Sequence, residues 1–381
     1  VKRFYLPTDI ITGIGCFEEL GEIASRYGKR ALLVCGPRAM RQAGFLDRGV
    51  KKLKEKGLEV TVYDAVKGEP TLNMIEEGIA LAKQKGSQLV IGLGGGSAID
   101  AAKAIAGLST LPGEVHEYHA GRAIEKPGLP FIAVPTTAGT GAEVTKNSVL
   151  IDKERMVKRS IRSDYWFAKV AIVDPELTIT MPPSITASTG GDALCQAIEA
   201  YVSIGANQAT DALAEKAIEL IGRSLLRAYE DGGDIEARSD MLYGSLLAGM
   251  ALGSARLGGV HGMAHPLGCR YDIPHGTICA LLLPYVMDYN LEYALEKYAN
   301  IARLLGEETE GMTTEQAAAK SVEAVRRIFD SVEIPFHLRE FGVREEDFPL
   351  IIEESLPSGS LKHNPRPLGA DDVRYLLEVA M

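Results

Sequence analysis

The stretch SQLVIGLGGGSAIDAAKAIAG, residues 87–107, decides how the chain is read. It opens with a short apolar run, LVIGLG, of the kind that forms a buried strand. It then breaks on Gly94, Gly95 and Gly96 and continues from Ser97 with helical spacing. A strand that passes through glycines into a helix presents free backbone amides at the helix start, and glycine lets a phosphate come close to them. Gly94, Gly95, Gly96 and Ser97 are therefore expected to cradle phosphate. Asp100, in the first helical turn, suits the positive end of the helix dipole and is expected to accept a hydrogen bond. The run is not the usual G-x-G-x-x-G fingerprint, because Ser97 stands in the place of the third glycine. A purely structural turn needs one or two glycines; three followed by serine favour a ligand.

Outward from this stretch the same alternation repeats. KRALLVCG (29–36), LEVTVYDAV (58–66), LPFIAVPTT (129–137) and KVAIVDPEL (169–177) read as further strands. FLDRGVKKLKEKG (45–57) and MIEEGIALAKQKG (74–86) read as helices between them. Strand–helix alternation predicts a parallel sheet covered on both faces. After Pro182 and Pro183 β-branched runs become scarce and helical spacing takes over. The expected organisation is an N-terminal α/β dinucleotide-binding domain with a Rossmann-like parallel sheet (1–180) and an all-α C-terminal domain (181–381).

Bulk composition narrows the function. A chain of 381 residues is too long for one ordinary core, so two domains are the default. A formal charge of −10 argues against nucleic acid or an anionic membrane as the main partner. Lys153, Arg155, Lys158, Arg159 and Arg162 form a local basic cluster, read as a solvated hairpin from which Lys158 is expected to reach a cofactor. No apolar run approaches the roughly 18 residues of a membrane span, and the start, VKRFYLPTDII, lacks the apolar core of a signal peptide. Five cysteines, an odd count without a CxxC pair, do not suggest a disulfide framework or a zinc ribbon. A cytoplasmic protein is expected, with Cys195 and Cys269 as buried, inert thiols and KRFYLP as a strand suited to pairing across a dimer.

Two further loops suit a nucleotide. PTTAGTGAEVT (135–145) offers the hydroxyls of Thr136, Thr137, Thr140 and Thr145 after a strand. In VCGPRAM (34–40), Gly36 occupies the place where an acid would take an adenosine ribose, and Arg38 follows. A small residue with a nearby arginine admits a 2′-phosphate, so NADP is expected over NAD. A metal site is suggested by GVHGMAHPLGCRYDIPHG (259–276). His261 and His265 share one helical face, and His275 follows Pro274 at a turn. Asp192, in GGDALCQAIEA (190–200), adds a carboxylate to the clustered imidazoles that a divalent metal needs.

These motifs resemble the iron-containing (group III) alcohol dehydrogenase family. The likeness runs from ITGIGCFEEL (11–20) through GGGSAIDAAK, PTTAGTGAEVT, VDPEL, MPP, GGDAL and HGMAHPLG to IPHG. It implies a dinucleotide-binding domain, a helical domain and an active site in the cleft between them, an architecture related to dehydroquinate synthase. It also implies a divalent metal, Fe²⁺ or sometimes Zn²⁺, and a homodimer or larger assembly. By this resemblance Asp192, His261 and His275 match metal ligands, and His265 matches the histidine beside the nicotinamide. Thr136, Thr137, Thr140, Thr145, Asn147 and Lys158 match positions lining the cofactor. Gly36 stands where NAD-preferring members carry Asp.

One position departs from the pattern. The family reads D-A-L-x-H, with a fourth ligand four residues after the Asp, and here that position is Gln196. An amide oxygen is a poor replacement for imidazole. Three ligands remain, as in the Asp-His-His zinc site of the related glycerol dehydrogenases. The expected activity is reversible hydride transfer between NADP(H) and a small primary alcohol or aldehyde, with His265 relaying the proton or orienting the ring. A zinc-dependent glycerol dehydrogenase-like enzyme is the alternative within enzymes, ahead of a dehydroquinate synthase-like activity. A nucleotide-binding protein whose metal site has decayed at Gln196 is the alternative outside them.

Overall fold

The structure, a computed structural model, describes residues 2–155 and 157–381. Its contacts divide into two units. One comprises Leu6–Thr137 and Ala142–Thr180; the other comprises the chain up to Tyr5, Ala138–Gly141 and Met181–Met381.

The first unit is built on strands β1 (Asp9–Thr12), β2 (Arg30–Val34), β3 (Glu59–Tyr63), β4 (Leu89–Gly94), β5 (Phe131–Pro135) and β8 (Val170–Val173). They form a six-stranded sheet in the order β1-β8-β5-β4-β2-β3, and every pairing is parallel. β6 (Asn147–Asp152) and β7 (Val157–Arg162) make a separate antiparallel hairpin. The apolar runs at 29–36, 58–66, 87–96, 129–137 and 169–177 contain β2, β3, β4, β5 and β8. β1 lies beyond those readings: DIIT is short, and its place comes from pairing with β8.

Side chains alternate across the sheet. Leu32, Val34, Val90 and Ala133 enter one core with the helix Gly96–Leu108, while Leu33, Ile91, Leu93, Ile132 and Val134 enter the core on the other face. Burial on both faces explains why these strands read as continuous apolar runs. In β4, a Cβ at Gly92 would lie 2.9 Å from Ala102 Cβ. The close strand–helix approach that the fingerprint's third glycine normally allows is thus provided inside the strand.

The order reverses at β2 and β4: β3 lies on one side of β2 and β4 on the other. In open parallel sheets the loops after such strands are where ligands bind. Here those loops begin at Cys35 and Gly95, with the loop after β5 beside them at Thr136.

The second unit is helical; among its described residues there is no strand. Its central helices are Pro183–Val202, Gln208–Glu230, Ile235–Ala255, Gly259–Tyr271 and His275–Asn290. Pro183 starts the first of them, where its missing amide proton is not needed. Two glycines bring Pro183–Val202 and His275–Asn290 unusually close. A Cβ at Gly191 would lie 2.7 Å from Ala280 Cβ, and one at Gly276 would lie 2.1 Å from the Ser188 carbonyl oxygen. Among the described residues no helix is long and apolar enough to cross a membrane.

Candidate functional site

The glycine loop after β4 behaves as an open helix start. Gly95 is the extended N-cap of Gly96–Leu108 and has no side chain to cap it. Gly96 and Ser97, which carry the first amides, are partly exposed, and a helix start leaves such amides without an intrahelical partner, open to a ligand. Thr136 donates its amide to the Gly94 carbonyl at 3.0 Å. A Cβ at Gly95 would lie 3.1 Å from Thr137 Oγ1, so glycine keeps that hydroxyl next to the amides. The donor set and the missing Cβ fit a pyrophosphate group.

The remaining cofactor positions take different places. Asp100 Oδ2 accepts from the Val149 amide at 2.9 Å, tying the helix to β6, and Oδ1 lies 3.5 Å from Lys103 Nζ. Burial raises its carboxyl above the usual range, against the pull of Lys103. Lys103, which the sequence reading did not single out, is fully buried and donates to the carbonyls of Ala142 and Asn147 and to Thr145 Oγ1. Thr145 and Asn147 are thereby held by the buried Lys103 side chain, whose pKa burial lowers. Thr140 falls in the short segment that belongs with the helical unit. Lys158 is ion-paired with Glu69 and its side chain is 6% exposed, whereas Lys153, Arg155, Arg159 and Arg162 of the same hairpin are exposed. Gly36 is half-buried beside the Val66 carbonyl, and Arg38 is exposed, with no ion pair among the described residues.

In the helical unit, Asp192, His261, His275 and Cys279 each bring one ligand-type atom to within 4.8 Å of the others. Asp192 and Gln196 are one turn apart on Pro183–Val202, and His275 and Cys279 are one turn apart on His275–Asn290. The close approach at Gly191 and Gly276 is what joins the two pairs. His261 comes from Gly259–Tyr271, a helix interrupted by Pro266. Its ring is 5.4 Å from that of His275, and the half-buried His265 ring is 5.7 Å from His275 on another side.

The protonation pattern of this cluster is informative. His261 Nδ1 lies 2.6 Å from Glu199 Oε2, and Glu199 Oε1 also accepts from the Val260 amide at 2.7 Å. A buried carboxylate at this distance accepts a hydrogen bond from Nδ1–H, and the neutral ring then carries its lone pair on Nε2. Nε2 stands 3.3 Å from Asp192 Oδ1, and that oxygen receives no hydrogen bond. Two acceptors thus face each other in a buried place, which calls for a positive charge between them. A proton on Nε2 and a cation compete for this place: burial alone would lower the His261 pKa, yet Cys279, Asp192 and Glu199 together hold it well above the ordinary value, so the groups around the ring favour a positive charge here. Gln196 Oε1 is a further buried acceptor without a partner among the described residues. Orphaned acceptors and an O, N, N, S donor set fit a divalent cation.

Glu199 and Cys279 were not singled out from the sequence. Glu199 had a visible signal, seven residues after Asp192 on the same face of a helix. Cys279 had a weaker one, four residues after His275. Cys195 is buried, but its sulfur lies 3.9 Å from His261 Nδ1, so it belongs to the surroundings of the cluster; Cys269 is only half-buried.

Comparison with known proteins identifies the family. The family described as iron-containing alcohol dehydrogenase matches residues 7–175, and the C-terminal part of the Fe-containing alcohol dehydrogenase family matches residues 186–381. The chain is 44% identical over 355 residues to a 1,3-propanediol dehydrogenase of Klebsiella pneumoniae, covering 93% of this chain and 92% of that one. It is 35% identical to an NAD-dependent methanol dehydrogenase of Bacillus methanolicus over 381 residues, 100% of both chains. A crystal structure of a 1,3-propanediol oxidoreductase superposes with a TM-score of 0.97 at 40% identity, again over 100% of both chains. The chain belongs to the iron-containing alcohol dehydrogenase family.

Proposed function

We propose that the chain catalyses reversible hydride transfer between NADP(H) and a small primary alcohol or its aldehyde. In this reading Asp192, His261 and His275 hold a divalent cation, Fe²⁺ or Zn²⁺. The observation that carries it is the pair of buried acceptors, Asp192 Oδ1 and His261 Nε2, 3.3 Å apart with His275 alongside. When bound, the cation would supply Lewis acidity toward the reacting C–O group, and the nicotinamide would supply the hydride chemistry.

The chain's own residues supply the rest. Glu199 fixes the tautomer and direction of His261. The amides of Gly96 and Ser97, with Thr137 beside them, bind the pyrophosphate. The absence of a side chain at Gly36 and the exposed guanidinium of Arg38, which has no ion pair among the described residues, favour a 2′-phosphate, hence NADP. We assign His265 the relay of the hydroxyl proton; its half-buried ring near His275 supports that role. We further propose a cytoplasmic homodimer or larger assembly. Five cysteines with no disulfide among the described residues suit a reducing compartment, and β1 leaves one edge of the sheet open to pairing.

The test is turnover of short primary alcohols and diols with NADP⁺ or NAD⁺ after loading with Fe²⁺, Zn²⁺, Mn²⁺ or Co²⁺. Turnover that disappears in Asp192→Ala supports the reading. No turnover with any metal would favour a nucleotide-binding protein.

A further inference from the structure

We propose that Cys279 is a metal ligand, so that this chain holds its cation with Asp192, His261, His275 and the Cys279 thiolate and selects zinc. The proposal rests on the metal reading above and deepens it.

The first support is the position of the sulfur. Cys279 Sγ lies 3.7 Å from His261 Nε2 and 3.6 Å from His275 Nε2. A single S–H can serve one ring nitrogen, yet two nitrogens and the Asp192 oxygen converge on the same place. A cation satisfies all of them together.

The second support is the set of ligand-to-ligand distances. In a tetrahedron with Zn–S of about 2.3 Å and Zn–N or Zn–O of about 2.0–2.1 Å, sulfur and nitrogen are about 3.6 Å apart, and oxygen and nitrogen about 3.3 Å. The observed separations are 3.7 and 3.6 Å for sulfur to nitrogen and 3.3 Å for oxygen to nitrogen. Right-angle coordination with the same bonds would bring sulfur and nitrogen to about 3.1 Å and oxygen and nitrogen to about 2.9 Å. These three separations match tetrahedral rather than right-angle coordination.

The third support is the departure at residue 196. Gln196 offers only a neutral amide oxygen, whereas a thiolate is a strong donor one helix away. The fourth ligand has in effect moved from the helix Pro183–Val202 to the helix His275–Asn290. A carboxylate and a thiolate together balance the charge of a divalent ion, and the soft sulfur favours Zn²⁺ over Mn²⁺ or Fe²⁺. Zinc sites can expand to five-coordinate, which leaves room for a substrate oxygen.

The experiment uses the full chain, reduced, stripped of metal and loaded with Co²⁺ as a spectroscopic stand-in for zinc. Expected are a near-ultraviolet sulfur-to-cobalt charge-transfer band and the intense visible absorption of tetrahedral Co²⁺. Both should persist in Cys195→Ser and Gln196→Ala. The sulfur band should vanish in Cys279→Ser, with Zn²⁺ affinity reduced by at least the roughly 10–100-fold that loss of an outer-shell partner costs. A Co²⁺ complex lacking the sulfur band overturns the assignment of Cys279 while leaving the metal reading intact. So does loss of affinity in Gln196→Ala with none in Cys279→Ser. Failure of the native chain to bind Co²⁺ or Zn²⁺ at all overturns both. Should Cys279→Ser not fold, the spectra of the native chain and of Cys195→Ser decide alone.

Discussion

Glu199 Oε2 sits 2.6 Å from His261 Nδ1, seven residues along the helix from Asp192, whose Oδ1 faces the other nitrogen of the same ring. One helix therefore supplies both the carboxylate that orients the imidazole and the carboxylate that shares its cation. Glu199→Gln keeps an acceptor at Nδ1 but removes the charge that makes Nε2 a better donor. Zn²⁺ affinity, measured by competition with a chelating dye, should fall roughly 10–100-fold while the fold is retained. Unchanged affinity would mean that the carboxylate is only structural.

Cofactor preference turns on the loop after β2. Gly36→Asp places a negative charge where a 2′-phosphate would lie and a hydrogen-bond acceptor where a ribose hydroxyl would lie. A Cβ there would meet the Val66 carbonyl at 3.3 Å, so only a small local shift is needed. The ratio of kcat/KM for NADP to that for NAD should drop at least tenfold, about 1.4 kcal/mol. A ratio that stays level would remove Gly36 and Arg38 from the argument.

The two helices that bring the candidate ligands together meet at Gly191. Gly191→Ala forces a methyl to within 2.7 Å of Ala280 Cβ. Overpacking of this kind costs about 1–3 kcal/mol, so Tm should fall and metal affinity with it. Adding Ala280→Gly removes the clash and should restore both, since neighbouring substitutions couple. A double variant no better than the single one would show that the spacing is set elsewhere.

Glu143 gives a pH signature. Burial raises its carboxyl from 4.5 to about 7, and Oε1 has no hydrogen-bond partner among the described residues. The folded chain then binds a proton that the unfolded chain releases. Stability should therefore decline as pH rises from the unfolded value through about 7 and level off above it, with a total cost on the order of 3 kcal/mol. Glu143→Gln should be more stable than the native chain at pH 8 and closer to it at pH 5, by denaturant titration. An equal difference at both pH values would contradict the raised carboxyl.

The amino-acid sequence by itself determined the architecture and most of the candidate chemistry. Apolar runs buried on both faces, the glycines of 94–96 and the change of texture at Pro182 are local patterns, and local patterns survive in a linear text. Asp192, His261 and His275 were legible because their flanking motifs are continuous. Only the tertiary structure decided that Cys279 lies with them, that Glu199 orients His261, that Lys103 is buried against the Ala142 carbonyl and that Lys158 pairs with Glu69. Each of these depends on how closely two distant segments approach, and that distance is set by side chains that are missing, at Gly191 and Gly276, as much as by those present. Periodicity tells which face of a helix a residue occupies; it does not tell which other helix will lie against that face, and coordination is a property of the pair.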